Sequence, residues 1–519
     1  MLKRLHITLL LLLLGLGCLP GLDHGIWRPD EPRVVGICSE MARNLDLAVP
    51  RLNGKPFLEK PPLYYATSAL FARAVGNVKS DVVYRLVSIG FSVLTLIIVY
   101  RIAYLKWGPV YGIVAAGILA TSWEYFMVSR WIMVDISLVF SIVLAMYAYM
   151  RLCKSNKITD AAMLGLAIGL AFMAKGMVGP SIIGVSIILD MIIRVRDIRS
   201  AFRWHPAIIM VSMLIPVIPW MLSLYLREDL SFLKEILIVN NIGRLIGCKT
   251  AAALGHHHGT AYYLERFPRD FLPWTFIFIP AFTRSIKRFR EDTFLPWFIG
   301  PFILLSLAST KRGIYLVPLY PAAAFIITEF LRTKDHIWWE NITIKITWVI
   351  AFILCLLPFA GIVTGDAVAG VILGSISSIM LAVNLMKRKS MNNALSLVLV
   401  VAMGLYASTT MYFNYMKPKQ DYLGFSKKAL ELAHGSSITI LNPDETFEGV
   451  LPMLTGKTFK EEKSVSRIKE KGLFIWKDSH DSTLGKLKKM ENMNVEVILE
   501  QKIGRNMVRL AFITPRRST

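Results

Sequence analysis

The chain has 519 residues, of which 54% are apolar and 18% are charged, and its formal net charge at neutral pH is +23. This composition excludes intrinsic disorder, because there is ample apolar surface to bury. It also excludes an ordinary soluble chain, in which about 25% of residues are charged. The apolar residues come in long blocks, as in a polytopic membrane protein. The excess of Lys and Arg therefore indicates cytoplasmic loops or phosphate binding, and no nucleic-acid partner is expected.

Thirteen apolar runs are predicted to cross the membrane as helices. The first, from Ile7 to Leu22, follows Lys3 and Arg4. No small-residue cleavage site follows it, so it is interpreted as a retained helix rather than a signal peptide. The twelve others lie near residues 81–105, 109–127, 131–150, 160–175, 177–194, 206–226, 271–286, 294–309, 313–331, 342–364, 366–386 and 393–413.

Positive charge in the short loops predicts the orientation of these spans. The loops on one side carry clusters of Lys and Arg, which marks that side as cytoplasmic. These clusters lie near residues 101–106, 151–157, 194–203, 284–290, 332–334 and 387–389, on the same side as Lys3 and Arg4. The opposite side then receives the long segments 23–80 and 227–270, together with everything after about residue 414.

The composition changes at the end of the last span. Residues 1–414 form the predicted all-α transmembrane domain, whereas residues 415–519 are rich in Lys and Glu. Short β-like runs at 437–441, 473–476, 495–499 and 507–513 alternate there with helical stretches such as 425–434 and 482–492. Alternation of this kind predicts a small α/β domain outside the cytoplasm. No internal repeat is apparent, which weakens a transporter built from repeated halves.

Segment 23–80 carries the strongest candidate catalytic residues. Asp30 and Glu31 follow the first predicted helix, near the membrane surface. Adjacent carboxylates in that position can act as a base, orient a cation or hold a metal. The alternative is an ordinary solvated helix start, at which Asp30 and Glu31 cap the run that follows.

Further along this segment, Glu59 and Lys60 lie in a proline-rich stretch, F-L-E-K-P-P. Prolines stiffen the backbone, and a stiff segment loses less entropy when a binding site is assembled. The plain alternative is a loop that only leads into a helix.

Other ionisable residues recur at the outer ends of the apolar runs. Such groups are costly unless they are paired or hydrated, so they are candidates for function, with snorkelling of each side chain as the alternative. Several cations on one face suit a phosphate or pyrophosphate. The ionisable residues that are candidates for function in this way are four cations and one carboxylate: Arg130, Lys175, Arg244, Lys311 and Asp135.

Three consecutive histidines, residues 256–258, lie in the second long loop. Clustered imidazoles can bind a divalent metal. Consecutive side chains rarely all face one ion, so at most one or two of them would serve.

Taken in order, these motifs resemble the ArnT-like glycosyltransferases. This family comprises the lipid A aminoarabinose transferases and their bacterial relatives in the protein O-mannosyltransferase superfamily. The resemblance covers about residues 20–325. It rests on Asp30-Glu31, on P-R-L-N-G-K-P-F-L-E-K-P-P, and on the order of the motifs around Arg85, Arg130, Asp135, A-F-M-A-K-G, N-N-I-G-R, H-H-H-G-T-A-Y-Y and S-T-K-R-G-I-Y-L-V-P. Pro32 and Met177 depart from the usual pattern.

The resemblance implies a GT-C membrane fold in a bacterial inner membrane, with the active site facing the periplasm. The donor would be an undecaprenyl or other polyprenyl phosphate sugar, and the sugar would be transferred with inversion. Asp30 would serve as general base for a hydroxyl acceptor, or would orient the sugar if the acceptor is a lipid A phosphate. Lys60, Lys175 and Lys311 would neutralise the leaving phosphate.

The same resemblance implies roles for further residues. It places Glu31 beside the catalytic carboxylate and assigns Arg85, Arg130, Arg244 and Tyr315 to substrate binding. It matches Glu59 with His256 or His257 to positions where relatives place a metal, so a divalent metal is an open expectation and no other cofactor is implied.

Three functions remain open at this point. The leading hypothesis is sugar transfer to lipid A or another lipopolysaccharide component. The second is transfer to Ser or Thr of a glycoprotein acceptor. The third is a transporter of a lipid-linked sugar, but a transporter should place its charges near the bilayer midplane, whereas these lie at one face.

Overall fold

A computed structural model describes residues 19, 21–27, 30–194, 205–228, 258–333, 335–386, 392–478, 483–490 and 493–515. Its helices, in chain order, are α1 (Asp30–Asn44), α2 (Leu63–Val75), α3 (Asp81–Trp107), α4 (Pro109–Ala120), α5 (Trp123–Val128), α6 (Asp135–Ser155), α7 (Ile158–Lys175), α8 (Val178–Ile193), α9 (Pro206–Glu228), α10 (Tyr262–Asp270), α11 (Thr275–Lys287), α12 (Leu295–Leu307), α13 (Tyr320–Arg332), α14 (Trp338–Leu356), α15 (Gly361–Thr364), α16 (Ala367–Met386), α17 (Asn393–Met416), α18 (Tyr422–Leu432), α19 (Glu445–Thr455) and α20 (Thr483–Lys489). Its strands are β1 (Arg51–Leu52), β2 (Lys55–Pro56), β3 (Ile438–Leu441), β4 (Lys460–Glu462), β5 (Gly472–Asp478), β6 (Met493–Ile503) and β7 (Asn506–Pro515).

The chain is a multi-pass membrane protein. Among the described residues, seven helical stretches are long and apolar enough to span a bilayer, and shorter apolar helices lie between them. All twelve predicted runs from residue 81 onward overlap helices, whereas nearly all of the first predicted span lies outside the described residues. Helix formation is favoured in these runs because backbone polar groups in lipid must be satisfied within the segment.

Several of the predicted spans differ in detail from the observed helices, and two of them illustrate how. The run 109–127 breaks at Thr121 and Ser122 into α4 and α5. Both hydroxyls donate to carbonyls of the preceding turn, Thr121 to Gly117 at 2.6 Å and Ser122 to Leu119 at 2.8 Å. Side chains of this kind compete with the helical ladder. The run 131–150 begins its helix only at Asp135.

Two compact units make up the chain. The first comprises residues 1–20, 58–63 and 88–411, and it contains the bulk of the apolar helices. The second comprises residues 21–57, 64–87 and 412–519. The tail therefore forms a common unit with two stretches of the long N-terminal segment, which the sequence did not indicate.

In the second unit, a five-stranded mixed sheet has the order β4-β3-β5-β7-β6. Strand β3 is parallel to β4 and β5, whereas β7 is antiparallel to β5 and β6. Its central strands bury apolar residues, including Ile440, Ile475 and Leu510, against helices that include α18 and α19. The predicted small α/β domain is confirmed, with β4 and α19 in addition to the predicted elements.

Helix α19 packs very closely against α1 within this unit. A Cβ atom added at Gly449 would lie 1.8 Å from the carbonyl oxygen of Pro32, and one added at Gly36 would lie 2.5 Å from the Cα of Gly449. Only a residue without a side chain permits this approach, because the obstructing atoms belong to the backbone and cannot rotate away.

We expect Gly449→Val to separate α1 from α19. Overpacking of a close contact typically costs about 1–3 kcal/mol, so the melting temperature of the purified protein should fall. Gly472→Ala is the matched control in the same unit, because its added Cβ would meet only the ring of Phe474 at 3.9 Å. Equal melting temperatures for the two variants would contradict the proposed close packing.

Candidate functional site

The first unit places Asp135 and Lys175 at adjoining helix ends. Helix α6 begins at Asp135 and α7 ends at Lys175. Asn156, in the left-handed conformation, ends α6 and lets α7 return alongside it. Gly176, with φ of +63°, then ends α7 immediately after Lys175 and allows the turn into α8.

Lys175 is held between a carboxylate and an aromatic ring. Its Nζ donates a hydrogen bond to Oδ1 of Asp135, and it lies 4.1 Å from the centre of the Tyr315 ring. Asp135 is 3% exposed. A half-buried ammonium group with one carboxylate and one ring face keeps the capacity to bind a further anion.

These side chains line one cavity of about 100 Å³. Glu59, Lys60, Asp135, Lys175 and Tyr315 supply its polar wall. Its apolar wall is formed by Leu138, Val178, Ile182, Leu304, Leu305 and Pro318. The cavity thus combines two ammonium groups and two carboxylates on one wall with aliphatic side chains on the other, as a site for an amphipathic ligand requires.

Three of the predicted cations in the described part of the chain, Arg85, Arg130 and Lys311, do not line this cavity. Lys311 is 3% exposed, and its Nζ donates to the carbonyl oxygens of Ala308, at 2.6 Å, and His258, at 3.1 Å. Arg130 is 1% exposed and lies over the ring of Phe126 at 5.2 Å. The carbonyl contacts of Lys311 tie together two stretches of backbone, and its contact with the donor phosphate stays a prediction.

The second unit contains the predicted catalytic pair, and its two carboxylates have different partners. Glu31 and Arg85 form a fully buried ion pair, with Nη1 of Arg85 2.6 Å from Oε1 of Glu31. The Trp27 amide donates to the other oxygen of Glu31 at 3.0 Å, and Arg85 also donates to the carbonyl of Gly25. These contacts hold the segment before α1 against the start of α3.

The charge of Glu31 is fixed by this surrounding. Burial alone would raise the pKa of the Glu31 carboxyl, but Arg85 and His24 together hold that pKa below its usual value. The carboxylate therefore stays ionised at neutral pH. A group that stays ionised and is fully paired with Arg85 is poorly suited to exchange protons with a substrate.

Asp30, by contrast, belongs to a short chain of charged groups. Nη2 of Arg33 lies 2.6 Å from Oδ1 of Asp30, and Nη1 of the same guanidinium lies 2.6 Å from Oε1 of Glu445. Asp30 is 5% exposed and Arg33 6%. One guanidinium thus bridges the first residue of α1 to the first residue of α19, and its fork fixes the orientation of the Asp30 carboxylate.

Arg33 and Glu445 were not predicted from the sequence. The spacing of Asp30 and Arg33, three residues apart on one helix, was a usable signal for the first of them. Glu445 is 412 positions further along the chain, and nothing in its local sequence pointed to Asp30.

Several predicted site residues lie outside the described part of the chain, namely Arg244, His256 and His257. Within the described residues, no group of three or more His, Cys, Asp or Glu side chains is arranged to hold a metal ion. Glu59, the remaining predicted ligand, faces the cavity that also contains two ammonium groups. The described residues therefore do not form a metal site, and the metal remains a prediction from the resemblance.

The chain is similar to several known proteins. The model of the family described as dolichyl-phosphate-mannose-protein mannosyltransferase matches residues 59–220. The chain is 25% identical over 314 residues to an undecaprenyl phosphate-alpha-4-amino-4-deoxy-L-arabinose arabinosyl transferase of Serratia proteamaculans, a match covering 59% of this chain and 55% of the relative. The relative of the same name from Edwardsiella ictaluri is 26% identical, covering 59% and 56%. The chain thus spans little more than half the length of these relatives.

A solved structure matches nearly the whole chain. The crystal structure of ArnT from Cupriavidus metallidurans bound to undecaprenyl phosphate aligns with a TM-score of 0.78 at 18% identity, covering 98% of this chain and 97% of that one. The chain has the ArnT fold. The apo form of the same ArnT aligns with a TM-score of 0.76.

The ArnT likeness confirms the predicted fold class, a GT-C helical membrane domain with a small α/β domain. The match extends over residues of both units. At 18% identity the likeness concerns the fold.

Proposed function

We propose that the chain is an inverting glycosyltransferase that moves a sugar from a polyprenyl phosphate donor to lipid A or a related lipopolysaccharide acceptor. The observation that carries the proposal is the cavity in which Lys60 and Lys175 stand beside an aliphatic wall. An undecaprenyl phosphate sugar combines the same two features, an anionic phosphate and a long hydrocarbon chain. The names of the relatives and the ligand of the ArnT crystal structure support this choice of donor.

The proposed reaction forms one bond and breaks one. An acceptor oxygen attacks the anomeric carbon, and the bond from that carbon to the phosphate oxygen breaks on the opposite face, so the configuration inverts. The electron pair leaves with the polyprenyl phosphate, whose added charge the ammonium groups of Lys60 and Lys175 stabilise. If the acceptor is a hydroxyl group, its proton passes to Asp30; an ionised phosphate acceptor needs no base.

Mass spectrometry of a strain that lacks the chain tests this function. Lipid A and glycoproteins from the deletion strain should be compared with those from the complemented strain. A pentose- or hexose-sized increment missing from lipid A supports the proposal. If lipid A and the glycoproteins of the deletion strain both keep their full mass, the proposal is contradicted.

A protein acceptor is the second candidate. The description of the matching family, a protein mannosyltransferase, favours it. An increment missing from the glycoprotein fraction while lipid A is unchanged would select this candidate over the first.

We propose that the active site faces the periplasm of a bacterial inner membrane, because positive charge in the short loops lies on the other side. A cysteine at the exposed position Ser436 should then react with an impermeant reagent in cells whose inner membrane is intact, whereas one at the exposed position Lys157 should react only after lysis. Labelling should be compared with that of the parent chain. The opposite pattern would reverse the orientation.

Glu445 offers a test of the chain of charges at Asp30. We expect Glu445→Gln to slow transfer by about tenfold, because the Arg33 guanidinium loses one of its two charge-assisted contacts. Glu445→Asp, which keeps the charge, should restore part of the rate, and the KM for the donor should change little. Glu431→Gln, an exposed glutamate of α18, is the control. A melting temperature lowered without any change in rate would make Glu445 purely structural.

A further inference from the structure

A second cavity, of about 260 Å³, lies between α3, α6, α8 and the start of α12. Four cationic side chains line it: Lys106, Arg151, Lys154 and Arg194. Asp190 is the lining carboxylate. Arg151 also pairs with Asp160 at 2.9 Å and Lys106 lies 3.7 Å from Glu329, so four cations face three carboxylates and the excess is 4 − 3 = +1. None of these residues lines the candidate site described above.

The second cavity lies at the other end of the helices that build the first. Asp135 and Val178 line the first cavity, and Arg151 and Arg194 line the second. Asp135 and Arg151 are sixteen positions apart on α6, and Val178, which begins α8, is sixteen positions from Arg194, which follows its end. Sixteen helical residues span about 24 Å at 1.5 Å per residue. Since the hydrocarbon core of a bilayer is about 30 Å thick, the two cavities face opposite membrane surfaces. In the proposed orientation, the second faces the cytoplasmic leaflet.

Arg194 is fixed in a way that leaves part of it available to a ligand. Its Nε lies 2.7 Å from Oδ1 of Asp190, and the Tyr149 hydroxyl donates to the other Asp190 oxygen at 2.7 Å. One carboxylate oxygen thus accepts a hydrogen bond, and the other is ion-paired with Arg194. Nη2 of Arg194 is buried and lacks a hydrogen-bond partner among the described residues. A buried donor without an acceptor is costly, and an anion in the cavity would satisfy it.

Lys106 provides a second anchored cation. Its Nζ lies 4.7 Å from the centre of the Phe294 ring and 5.1 Å from that of Trp107. A tryptophan at the end of a membrane helix is typical of the level of the lipid headgroups. A cation beside such a tryptophan suits a contact with a lipid phosphate.

The remaining wall of the cavity is apolar and continues towards the lipid. It includes Ile102, Leu105, Met150 and Phe294. Leu105 is 52% exposed in the protein, and on a membrane helix that surface faces acyl chains. An excess of Lys and Arg is expected in any cytoplasmic loop. Such residues require neither an adjoining apolar wall nor a buried guanidinium nitrogen, and this cavity has both.

We propose that this cavity binds the phosphate of an anionic phospholipid from the leaflet opposite the candidate active site, with the acyl chains lying along the apolar wall. Basic pockets between membrane helices are a recognised setting for such headgroups. The bound lipid would brace the ends of α3, α6 and α8, the last two of which carry Asp135 and Val178 at their far ends.

Native mass spectrometry of the full-length protein tests the proposal without any variant. Protein reconstituted with phosphatidylglycerol and phosphatidylcholine in equal amounts should retain phosphatidylglycerol preferentially after transfer to detergent. Equal retention of the two lipids would overturn the proposal. Millimolar inorganic phosphate should not displace the lipid, and complete displacement would instead identify a site for free phosphate.

A double variant locates the binding. Lys154→Gln combined with Arg194→Gln should weaken phosphatidylglycerol binding by at least about tenfold, because two charge-assisted contacts are lost. Lys157→Gln, an exposed cation at the start of α7 that does not line the cavity, should leave binding unchanged. If the double variant binds phosphatidylglycerol as tightly as the unaltered chain, the lipid lies elsewhere and the assignment is wrong.

Discussion

Asp30→Asn should give a folded, membrane-inserted protein whose rate of sugar transfer is about 10²–10⁴-fold lower, the usual cost of losing a general base. The substitution removes the charge at nearly constant volume. It also leaves the side chain able to accept a hydrogen bond from Arg33, which lies 2.6 Å from the carboxylate. The rate should be measured in reconstituted vesicles with a synthetic polyprenyl phosphate sugar and a hydroxyl acceptor.

Asp23→Asn is the matched control for this variant. Asp23 is also an ion-paired aspartate of the second unit, but its side chain is 70% exposed and its partner is Lys417. Exposed ion pairs contribute little to stability, so this variant should transfer sugar at the normal rate. Near-normal turnover by Asp30→Asn would refute the catalytic role and favour the alternative that Asp30 serves the start of α1.

The contrast between Asp30 and Glu31 could not be derived from the sequence. Two adjacent carboxylates look equivalent in a printed chain, and both were candidates for catalysis. Their difference arises from α3, because Arg85 reaches back to Glu31 across 54 positions. Removing one partner of such a buried pair costs about 3–5 kcal/mol, so loss of Glu31 or Arg85 would report on folding before it reports on chemistry.

The helical part of the fold was predictable because a single property, hydrophobicity over the thickness of a bilayer, specifies it. The predictions erred where local hydrogen bonding competes with that property, as at Thr121 and Ser122. The sheet of the tail was also predictable, since its strands β5 and β7 are apolar runs bounded by polar turns. That residues 21–57 and 64–87 share a unit with the tail depends on long-range packing, such as the contact of Gly36 with Gly449.

The candidate site was predictable in part. Lys175 and Lys311 both follow apolar runs at the same face, so the sequence gives no reason to separate them. In the structure, Lys175 lines the cavity, whereas Lys311 donates to two backbone carbonyls. The two lysines differ in the direction of their side chains at the end of a helix. The exact end of a helix is the feature that a hydrophobic pattern predicts least well.

Lys60 and Lys175 should each prove necessary for use of the donor. Lys60→Gln and Lys175→Gln are expected to lower kcat/KM for the polyprenyl phosphate sugar by about 10–100-fold, since charge-assisted contacts are worth about 1.5–3 kcal/mol. Lys345→Gln, an exposed lysine of α14, should have no effect. Because Lys175 also pairs with Asp135, its loss leaves a buried carboxylate, so Asp135→Asn should be combined with Lys175→Gln to test whether folding recovers while transfer does not.

The double variant of Lys60 and Lys175 distinguishes a shared phosphate from two separate tasks. If both ammonium groups act on one phosphate, their effects are coupled, and the double loss should differ from the product of the single losses. The cavity predicts such coupling, because both side chains line a space of only about 100 Å³. If the losses multiply and donor binding is unchanged in either single variant, the two lysines act independently. In that case the cavity is not the binding site of the donor phosphate.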